Sequence, residues 1–269
     1  MCKKPLFLFY VFIFIFNLNS MGEEKLQKIE LKIERAIQPD DSSCGPTSLK
    51  MALSFFKDDK SIDEIKKHVK MFKGIGCYDS HLALGAIELG YTPIVYSFNR
   101  RIFHPSWSDL NADKLLEKLI EKKKKLEGEK KKPDANLSQL RKDLISIEGY
   151  IELLKKGVEL HLSPLSRDLI LKYLKEGLPV IVALDMSYLY SAPNFDDEFE
   201  MEHTTHFVVI YGFDPSDNTF LIADPWYEIK LDNKNGKYKR DTDIIINAIL
   251  YADYCNDADL LIIKKGDKK

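Results

Sequence analysis

Hydrophobic and polar residues follow a helical period in the first half of the chain and a strand period in its last third. Four apolar residues at i, i+3, i+4 and i+7 predict a helix with one buried face: Leu49, Ala52, Leu53 and Phe56. Runs rich in aromatic and β-branched residues predict strands at 92–98, 180–184, 206–213, 219–223 and 260–264. Because the helices come first and the antiparallel strands last, the pattern predicts an α+β fold.

Local capping signals place several helix ends. Ser61 and Glu64 have the spacing of a capping box, which predicts the start of a second helix. Ser80 is expected to cap a third helix that stops at Gly90, since glycine adopts the left-handed conformation easily. Further helices are predicted at 166–176 and 242–252, and the charged segment 23–35 is expected to be an edge strand or an arm.

The stretch 111–156 differs from the rest because Lys, Glu and Leu dominate it. In its second half, apolar residues recur at steps of three and four and form a heptad seam: Leu137, Leu140, Leu144, Ile147, Ile151 and Leu154. Pro133 and Asp134 separate the two halves. We therefore expect an antiparallel helical hairpin inserted into a single domain formed by 21–269, and this hairpin is a candidate surface for a protein partner. Its lysine run at 122–132 is interleaved with glutamates and is expected to be a solvated face.

The N-terminal segment has the three parts of a secretory signal peptide. Lys3 and Lys4 precede an apolar run from 5 to 16, and polar residues ending at Ser20 close it. We therefore expect residues 1–20 to direct the protein to the periplasm or out of the cell. Two alternatives stay open. The segment could remain as a membrane anchor, although a span normally takes about 20 apolar residues, or Met21 could be the true start.

Composition and charge narrow the functional classes only slightly. The chain is 45% hydrophobic and 30% charged, as is typical of a globular protein, and its net charge of -2 gives no reason to expect a nucleic-acid partner. Of the four cysteines, Cys2 lies in the N-terminal segment, which leaves an odd number. Cys77 and Cys255 could form a disulfide or be ordinary buried thiols. No cysteine spacing is typical of a metal site, so no metal is expected.

Cys44 is the first candidate for chemistry, because it stands directly before the first predicted helix. Pro46 suits the first turn of a helix, which places the thiol where the helix dipole favours the thiolate. Gly45 is expected to leave room for a substrate backbone. Gln38, six residues upstream, carries a side-chain amide that can join the Cys44 N–H as an oxyanion hole.

A nucleophilic thiol needs a base, and the base needs a group that orients it. His206 opens one predicted strand and Asp224 ends the next, so a hairpin would bring both to the same end. His203 offers an alternative as one half of a His-x-x-His metal pair, but this spacing on a strand points the two rings to opposite faces. Asp214 is the rival of Asp224 and lies at the far end of the first strand. Trp226 could wall the cleft, and the loop 187–202 could flank it.

The order of these residues resembles the C39-like peptidases of the papain-like clan. The resemblance rests on Gln38 to Met51, on the His206 strand and on the Asp224-Pro225 strand end. It implies a papain-like fold, a thiol peptidase that needs no cofactor, a peptide or protein substrate, and a Cys44–His206–Asp224 triad with Gln38 in the oxyanion hole. We expect a stand-alone member without the transporter domain of the bacteriocin-processing peptidases.

Two other functions fit the same residues. An acyltransferase would form the same thioester at Cys44 and pass it to an amine or thiol, as phytochelatin-synthase-like enzymes do. An inactive papain-like module would bind partners, with the 111–156 hairpin as its contact surface.

Overall fold

The structure, a computed structural model, describes residues 26–190, 204–227, 236–255 and 258–266. Its strands are β1 (Ile29–Glu30), β2 (Tyr91–Ser97), β3 (Glu159–His161), β4 (Val180–Asp185), β5 (Thr205–Asp214), β6 (Thr219–Ala223), β7 (Lys237–Asp241) and β8 (Asp259–Lys265). Its α-helices are α1 (Cys44–Ser54), α2 (Ile62–Lys66), α3 (Asp79–Glu88), α4 (Ala112–Glu129), α5 (Leu137–Lys155), α6 (Arg167–Lys175), α7 (Met186–Tyr190) and α8 (Thr242–Tyr251). The predicted N-terminal signal segment 1–20 lies outside the described residues, as does His203.

One sheet organises the described part of the chain. Its strand order is β3-β2-β8-β4-β5-β6-β7, and β1 pairs with β5 beside this path. Every pairing is antiparallel except that between β2 and β3. The predicted α+β fold is confirmed. The short strands β3 and β7 were missed, because three residues and a lysine-rich run carry little strand signal.

The two faces of the sheet bury separate apolar clusters. One cluster holds α1, α3, α4 and α5, with alternate residues of β5 such as Phe207 and Val209. The other holds α6, α7 and α8, with the intervening residues Val208 and Ile210. This alternation follows from the two-residue period of a strand. Strand β5 begins at the same end of the sheet at which β4 and β6 finish, because His206 pairs with Leu184 and Ala223 pairs with Val209.

Helix starts agree with the capping signals in part. The Ser61 hydroxyl accepts from the Glu64 N–H, and the Glu64 carboxylate accepts from the Ser61 N–H, so the predicted capping box is confirmed. Ser80 is not a cap: α3 begins one residue earlier, at Asp79, and Ser80 is buried inside it. The segment 187–202 was expected to be a loop, but its first residues complete the short helix α7, whose Tyr188 N–H is bound by the Asp185 carboxylate.

The stretch 111–156 contains the two helices α4 and α5, which pack on each other, and α5 also packs on α3. Leu140, Leu144 and Ile147 are buried, as the heptad seam requires. Leu137 is 60% exposed, so its assignment to the seam is wrong. Tyr150, which is off the seam, is fully buried, because α5 contacts α3 as well as α4. That the pair is an insertion, and that it binds a partner, stay predictions.

Among the residues that the structure describes, no helix is long and apolar enough to cross a membrane.

Candidate active site

The loop before α1 holds Cys44 at the first residue of that helix. Asp40 organises the loop: its Oδ1 accepts from the Ser42 N–H at 3.0 Å and from the Ser43 hydroxyl at 2.6 Å, and its Oδ2 accepts from Lys66 at 2.8 Å. The hydrogen bonds from Lys66 and Ser43 hold the pKa of the Asp40 carboxyl well below its usual range. Cys44 is partly exposed at this end of the helix. The first backbone N–H groups of a helix have no partner within the helix, and they favour negative charge at its N-terminus.

Gln38 is buried beside this loop. Its side-chain Nε2 donates to the Asp40 carbonyl at 2.9 Å, and that carbonyl also accepts from the Ser43 N–H. The Gln38 amide is therefore close to the residue that precedes Cys44. An amide NH₂ carries two hydrogens, so one remains for a second acceptor. Gln38 Oε1 is buried without a hydrogen-bond partner among the described residues, which leaves this amide incompletely satisfied.

His206 and Asp224 form a buried pair at the edge of the sheet. His206 Nε2 lies 2.9 Å from Asp224 Oδ1, and the two side chains are 2% and 0% exposed. Because Nε2 faces Asp224, Nδ1 is the ring nitrogen left for Cys44, with which His206 makes a hydrogen bond. The structure thus brings together three of the residues singled out in the sequence, and Gln38 lies against the same loop.

The protonation of the pair follows from its surroundings. Burial lowers the pKa of His206, but the charge of Asp224, the hydrogen bond to it and the hydrogen bond with Cys44 outweigh burial and raise the pKa to about 10. Burial raises the pKa of Asp224, but the charge of His206, the hydrogen bonds from His206 and Tyr238 and the Trp226 N–H outweigh burial and lower it. The geometry therefore favours an imidazolium–carboxylate pair.

Asp224 has more partners than the sequence indicated. Its Oδ1 also accepts from the Trp226 N–H at 2.8 Å, while Oδ2 accepts from the hydroxyls of Tyr190 at 2.8 Å and Tyr238 at 2.6 Å. Sequence reasoning missed both tyrosines, because neither belongs to a motif. Tyr190 lay only within the segment 187–202 that could flank the cleft, and Tyr238 lies on the unpredicted strand β7, where it pairs with Ile222, two residues before Asp224.

Arg35 fixes the chain that follows β6. Its Nε donates to the Asp224 carbonyl at 2.9 Å and its Nη2 donates to the Trp226 carbonyl at 2.7 Å. The Gln38 N–H donates to the Pro225 carbonyl at 2.9 Å. The segment 23–35 was expected to be an edge strand or an arm. The short β1 and the contacts of Arg35 show an arm that connects the Asp224 strand end with the Cys44 loop.

Two aromatic rings stand beside His206. The Trp226 ring meets the His206 ring edge to face at 6.1 Å, and Tyr227 stacks on Trp226 at 4.7 Å. The Tyr227 hydroxyl donates to the carboxylate of Asp41, which lies in the Cys44 loop, at 3.2 Å. The expectation that Trp226 lies next to the site is in agreement with this arrangement.

Cys77 lies against the first turn of α1, where a Cβ added at Gly45 would lie 2.4 Å from its Sγ. Gly45 was expected to leave room for substrate, but the structure shows that Cys77 and Phe207 fill that space. The side chain of Cys255 lies outside the described residues, so the possible Cys77–Cys255 disulfide stays a prediction for that residue.

The remaining candidates are elsewhere. Asp214 lies at the far end of β5, where it binds Lys239 at 2.6 Å and Ser216, so it does not orient His206. A cavity of about 780 Å³ between the end of β2 and the end of α8 is lined by Phe98 and Leu250, and none of the four candidate residues lines it. In the described ranges, no three His, Cys, Asp or Glu side chains are grouped to hold a metal ion.

The model of the Peptidase_C39 like family matches residues 30–245. A search of curated proteins found no significant match. Similar solved structures include a protein described as a C39-like peptidase from Bacillus anthracis (13% identity, TM-score 0.44, 90% of this chain and 100% of that chain). They also include xylellain, a cysteine protease from Xylella fastidiosa (16% identity, TM-score 0.43, 89% and 86%).

A third similar structure is a double glycine motif protease from an AMS/PCAT transporter in complex with the leader peptide (15% identity, TM-score 0.40, 89% of this chain and 99% of that chain). These likenesses are distant, and the family assignment rests on the family model, which spans most of the chain and includes Gln38, Cys44, His206 and Asp224. The chain belongs to the Peptidase_C39 like family.

Proposed function

We propose that the protein is a cysteine peptidase that cleaves a peptide or amide bond through Cys44, His206 and Asp224. The observation that carries the proposal is the buried His206–Asp224 pair, whose second imidazole nitrogen faces a cysteine at a helix N-terminus. A charged imidazole and a helix N-terminus both stabilise a thiolate, which is the nucleophilic form of cysteine. Family membership supports the same reaction class.

The proposed reaction has two steps. The Cys44 thiolate attacks the substrate carbonyl, and the oxyanion that forms accepts hydrogen bonds from the Cys44 N–H and the free hydrogen of Gln38 Nε2. His206 gives its proton to the leaving amine, which departs and leaves a thioester on Cys44. A water molecule, deprotonated by His206, then attacks the thioester and releases the acid. Asp224 orients the ring throughout and stabilises its charged form.

The first experiment is labelling at neutral pH with a peptide that carries a chloromethyl ketone, followed by mass mapping of the modified cysteine. We expect fast labelling of Cys44 and little labelling of Cys77, which is 6% exposed. His206→Ala should slow the labelling of Cys44 strongly. Equal, slow labelling of the cysteines in the native protein would contradict an activated nucleophile and favour an inactive binding module.

Product analysis separates hydrolysis from acyl transfer. A peptide mixture is incubated with the native protein, with and without a nucleophilic amine, and the products are identified by mass. Free carboxylic acids indicate a peptidase, and amine conjugates formed in preference to acids indicate an acyltransferase. Cys44→Ala serves as the control and should give neither product while keeping the native circular dichroism spectrum.

A further inference from the structure

The carboxylate of Asp224 is held from two sides by four donors. Oδ1 takes the His206 ring and the Trp226 N–H, and Oδ2 takes the hydroxyls of Tyr190 and Tyr238. Every distance lies between 2.6 and 2.9 Å. The side chain is 0% exposed, so no bulk water can replace a missing donor.

The two hydroxyls come from separate elements that are joined to each other. Tyr190 ends α7, and Tyr238 is the second residue of β7. The Arg240 side chain on β7 donates to the Leu189 carbonyl on α7 at 2.7 Å, so the two elements are fastened beside the carboxylate. Tyr190 and Tyr238 are 4% and 8% exposed, so both side chains are buried.

This arrangement fixes the rotation of the carboxylate as well as its charge. With Oδ2 bound by two phenols, Oδ1 is the oxygen that must face His206, and the ring is turned so that Nδ1 faces Cys44. Removal of the hydroxyls would leave Oδ2 buried against two aromatic rings, which disfavours the ionised form and frees the carboxylate to rotate.

We infer that Tyr190 and Tyr238 are positioning residues for the proposed reaction: together they hold Asp224 in the orientation that aims His206 at Cys44. The inference rests on the proposed function, since it concerns the same site. Neither tyrosine is assigned a direct contact with the substrate. Among the described residues, the titratable and charged groups that face the His206–Asp224 pair are Cys44 on α1, Arg35 on the arm, Tyr190 on α7, and Tyr238 with Arg240 on β7.

The test uses Tyr190→Phe, Tyr238→Phe and the double variant of the full chain. Phenylalanine keeps the ring, so packing is largely preserved while the hydroxyl is lost. The readout is the pH dependence of Cys44 alkylation by iodoacetate, which needs no known substrate. The reaction requires the thiolate, and the charged imidazole attracts the carboxylate of the reagent, so the rate reports both the thiolate and the imidazolium forms. Loss of a hydroxyl should weaken the binding of the Asp224 carboxylate and thereby favour neutral His206. In the pH profile of the alkylation rate, the fall at high pH (the alkaline limb) should then move to lower pH, and the rise at low pH (the acidic limb) should move to higher pH.

The expected size follows from the strength of hydrogen bonds to charged groups. Each single variant should slow alkylation at neutral pH by roughly three- to tenfold, and the double variant should slow it more than either. The folded fraction of each variant is measured by circular dichroism over the same pH range, so that loss of folded protein is separated from a shift of the pH profile.

Tyr96 and Tyr173 provide the matched control. Their hydroxyls are joined by a 2.7 Å hydrogen bond, and they are 5% and 3% exposed, on β2 and α6. Tyr173→Phe should lower stability without moving either limb. If Cys44 is selectively labelled in the native protein but the Tyr190 and Tyr238 variants keep the native pH profile, the inference is wrong and the proposed function stands. If native Cys44 is unreactive, the proposed function itself fails.

Discussion

The hydroxyl of Ser48 donates a 2.9 Å hydrogen bond to the backbone carbonyl of Phe207 inside the core. Ser48 lies one helical turn after Cys44 on α1, and Phe207 follows His206 on β5. This buried bond therefore joins the helix that carries the proposed nucleophile to the strand that carries the proposed base. Because Ser48 and Cys44 lie on one helix and Phe207 is next to His206, the bond constrains the distance between the thiol and the imidazole.

We expect Ser48→Ala to lower the free energy of unfolding by about 1–2 kcal/mol, since the Phe207 carbonyl loses its side-chain donor. It should also slow Cys44 alkylation by a few fold, because α1 is released from β5. Urea unfolding and iodoacetamide kinetics measure the two effects. Ser146 on α5 is the matched control: it is also fully buried, but its Oγ has no hydrogen-bond partner among the described residues. Ser146→Ala should therefore be close to neutral. Equal effects of the two substitutions would contradict a special role for Ser48.

Gln38 is predicted to matter for turnover and not for the reactivity of the thiol. Alkylation by iodoacetamide does not pass through a tetrahedral oxyanion, whereas amide cleavage does. Gln38→Ala should lower kcat/KM by about 10²–10³ and leave the alkylation rate of Cys44 within a few fold of native. A parallel loss of both rates would instead indicate that Gln38 acts by holding the Asp40 loop, to which its Nε2 is bound.

The raised pKa of His206 predicts how stability depends on pH. The folded state binds the imidazole proton more tightly than the unfolded chain, whose histidine pKa is 6.5, so the pair stabilises the fold fully below that pH. This stabilisation should be lost as the pH rises from 6.5 towards the folded pKa, by at most about 1.4 kcal/mol per pH unit.

Urea unfolding at a series of pH values measures how steeply the free energy of unfolding falls with pH. A Cys44→Ala background keeps the titration of the nucleophilic thiol out of this slope. Asp224→Asn should flatten it, because the amide no longer stabilises the charged ring. Asp214→Asn, which removes a carboxylate bound to Lys239 far from His206, should leave the alkaline slope unchanged. A slope that survives Asp224→Asn would show that another group titrates.

Much of the site could be predicted because each member has a local signal. Cys44 stands before a helix with Pro46 in its first turn, and His206 and Asp224 lie at the ends of adjacent runs with strand character. Order along the chain then limits the possible geometry: consecutive antiparallel strands place His206 and Asp224 at the same edge. The same strand order predicted that Asp214 lies too far from His206 to orient it, and the structure places Asp214 at the far end of β5.

The parts that escaped prediction depend on contacts between distant segments. Tyr190 and Tyr238 meet at Asp224 only because α7 and β7 are brought together by the tertiary fold. The buried side of α5 is wider than a two-helix seam, because α5 also packs on α3, and no periodicity within 111–156 could reveal a third helix. The role of Gly45 was misjudged for the same reason, since Cys77 approaches it from another part of the chain.

That approach leads to a prediction about Gly45→Ala. The position is in a helix without a left-handed backbone, so alanine alone should favour the helix by up to about 1 kcal/mol. A Cβ there would, however, lie 2.4 Å from Cys77 Sγ and 3.4 Å from Phe207 Cδ2. We expect the clash to prevail and Gly45→Ala to lower the free energy of unfolding by about 1–3 kcal/mol.

The compensating variant is Cys77→Ala, which removes the sulfur that the new methyl group meets. Alone it should be mildly destabilising, because a buried thiol is lost. Combined with Gly45→Ala it should restore most of the lost stability, with a coupling of about 1–2 kcal/mol between the two sites in urea unfolding. Gly45→Ala should also slow Cys44 alkylation, because the clash displaces the first turn of α1, and the double variant should restore the rate. Additive losses in the double variant would mean that Phe207, and not Cys77, limits the space at Gly45.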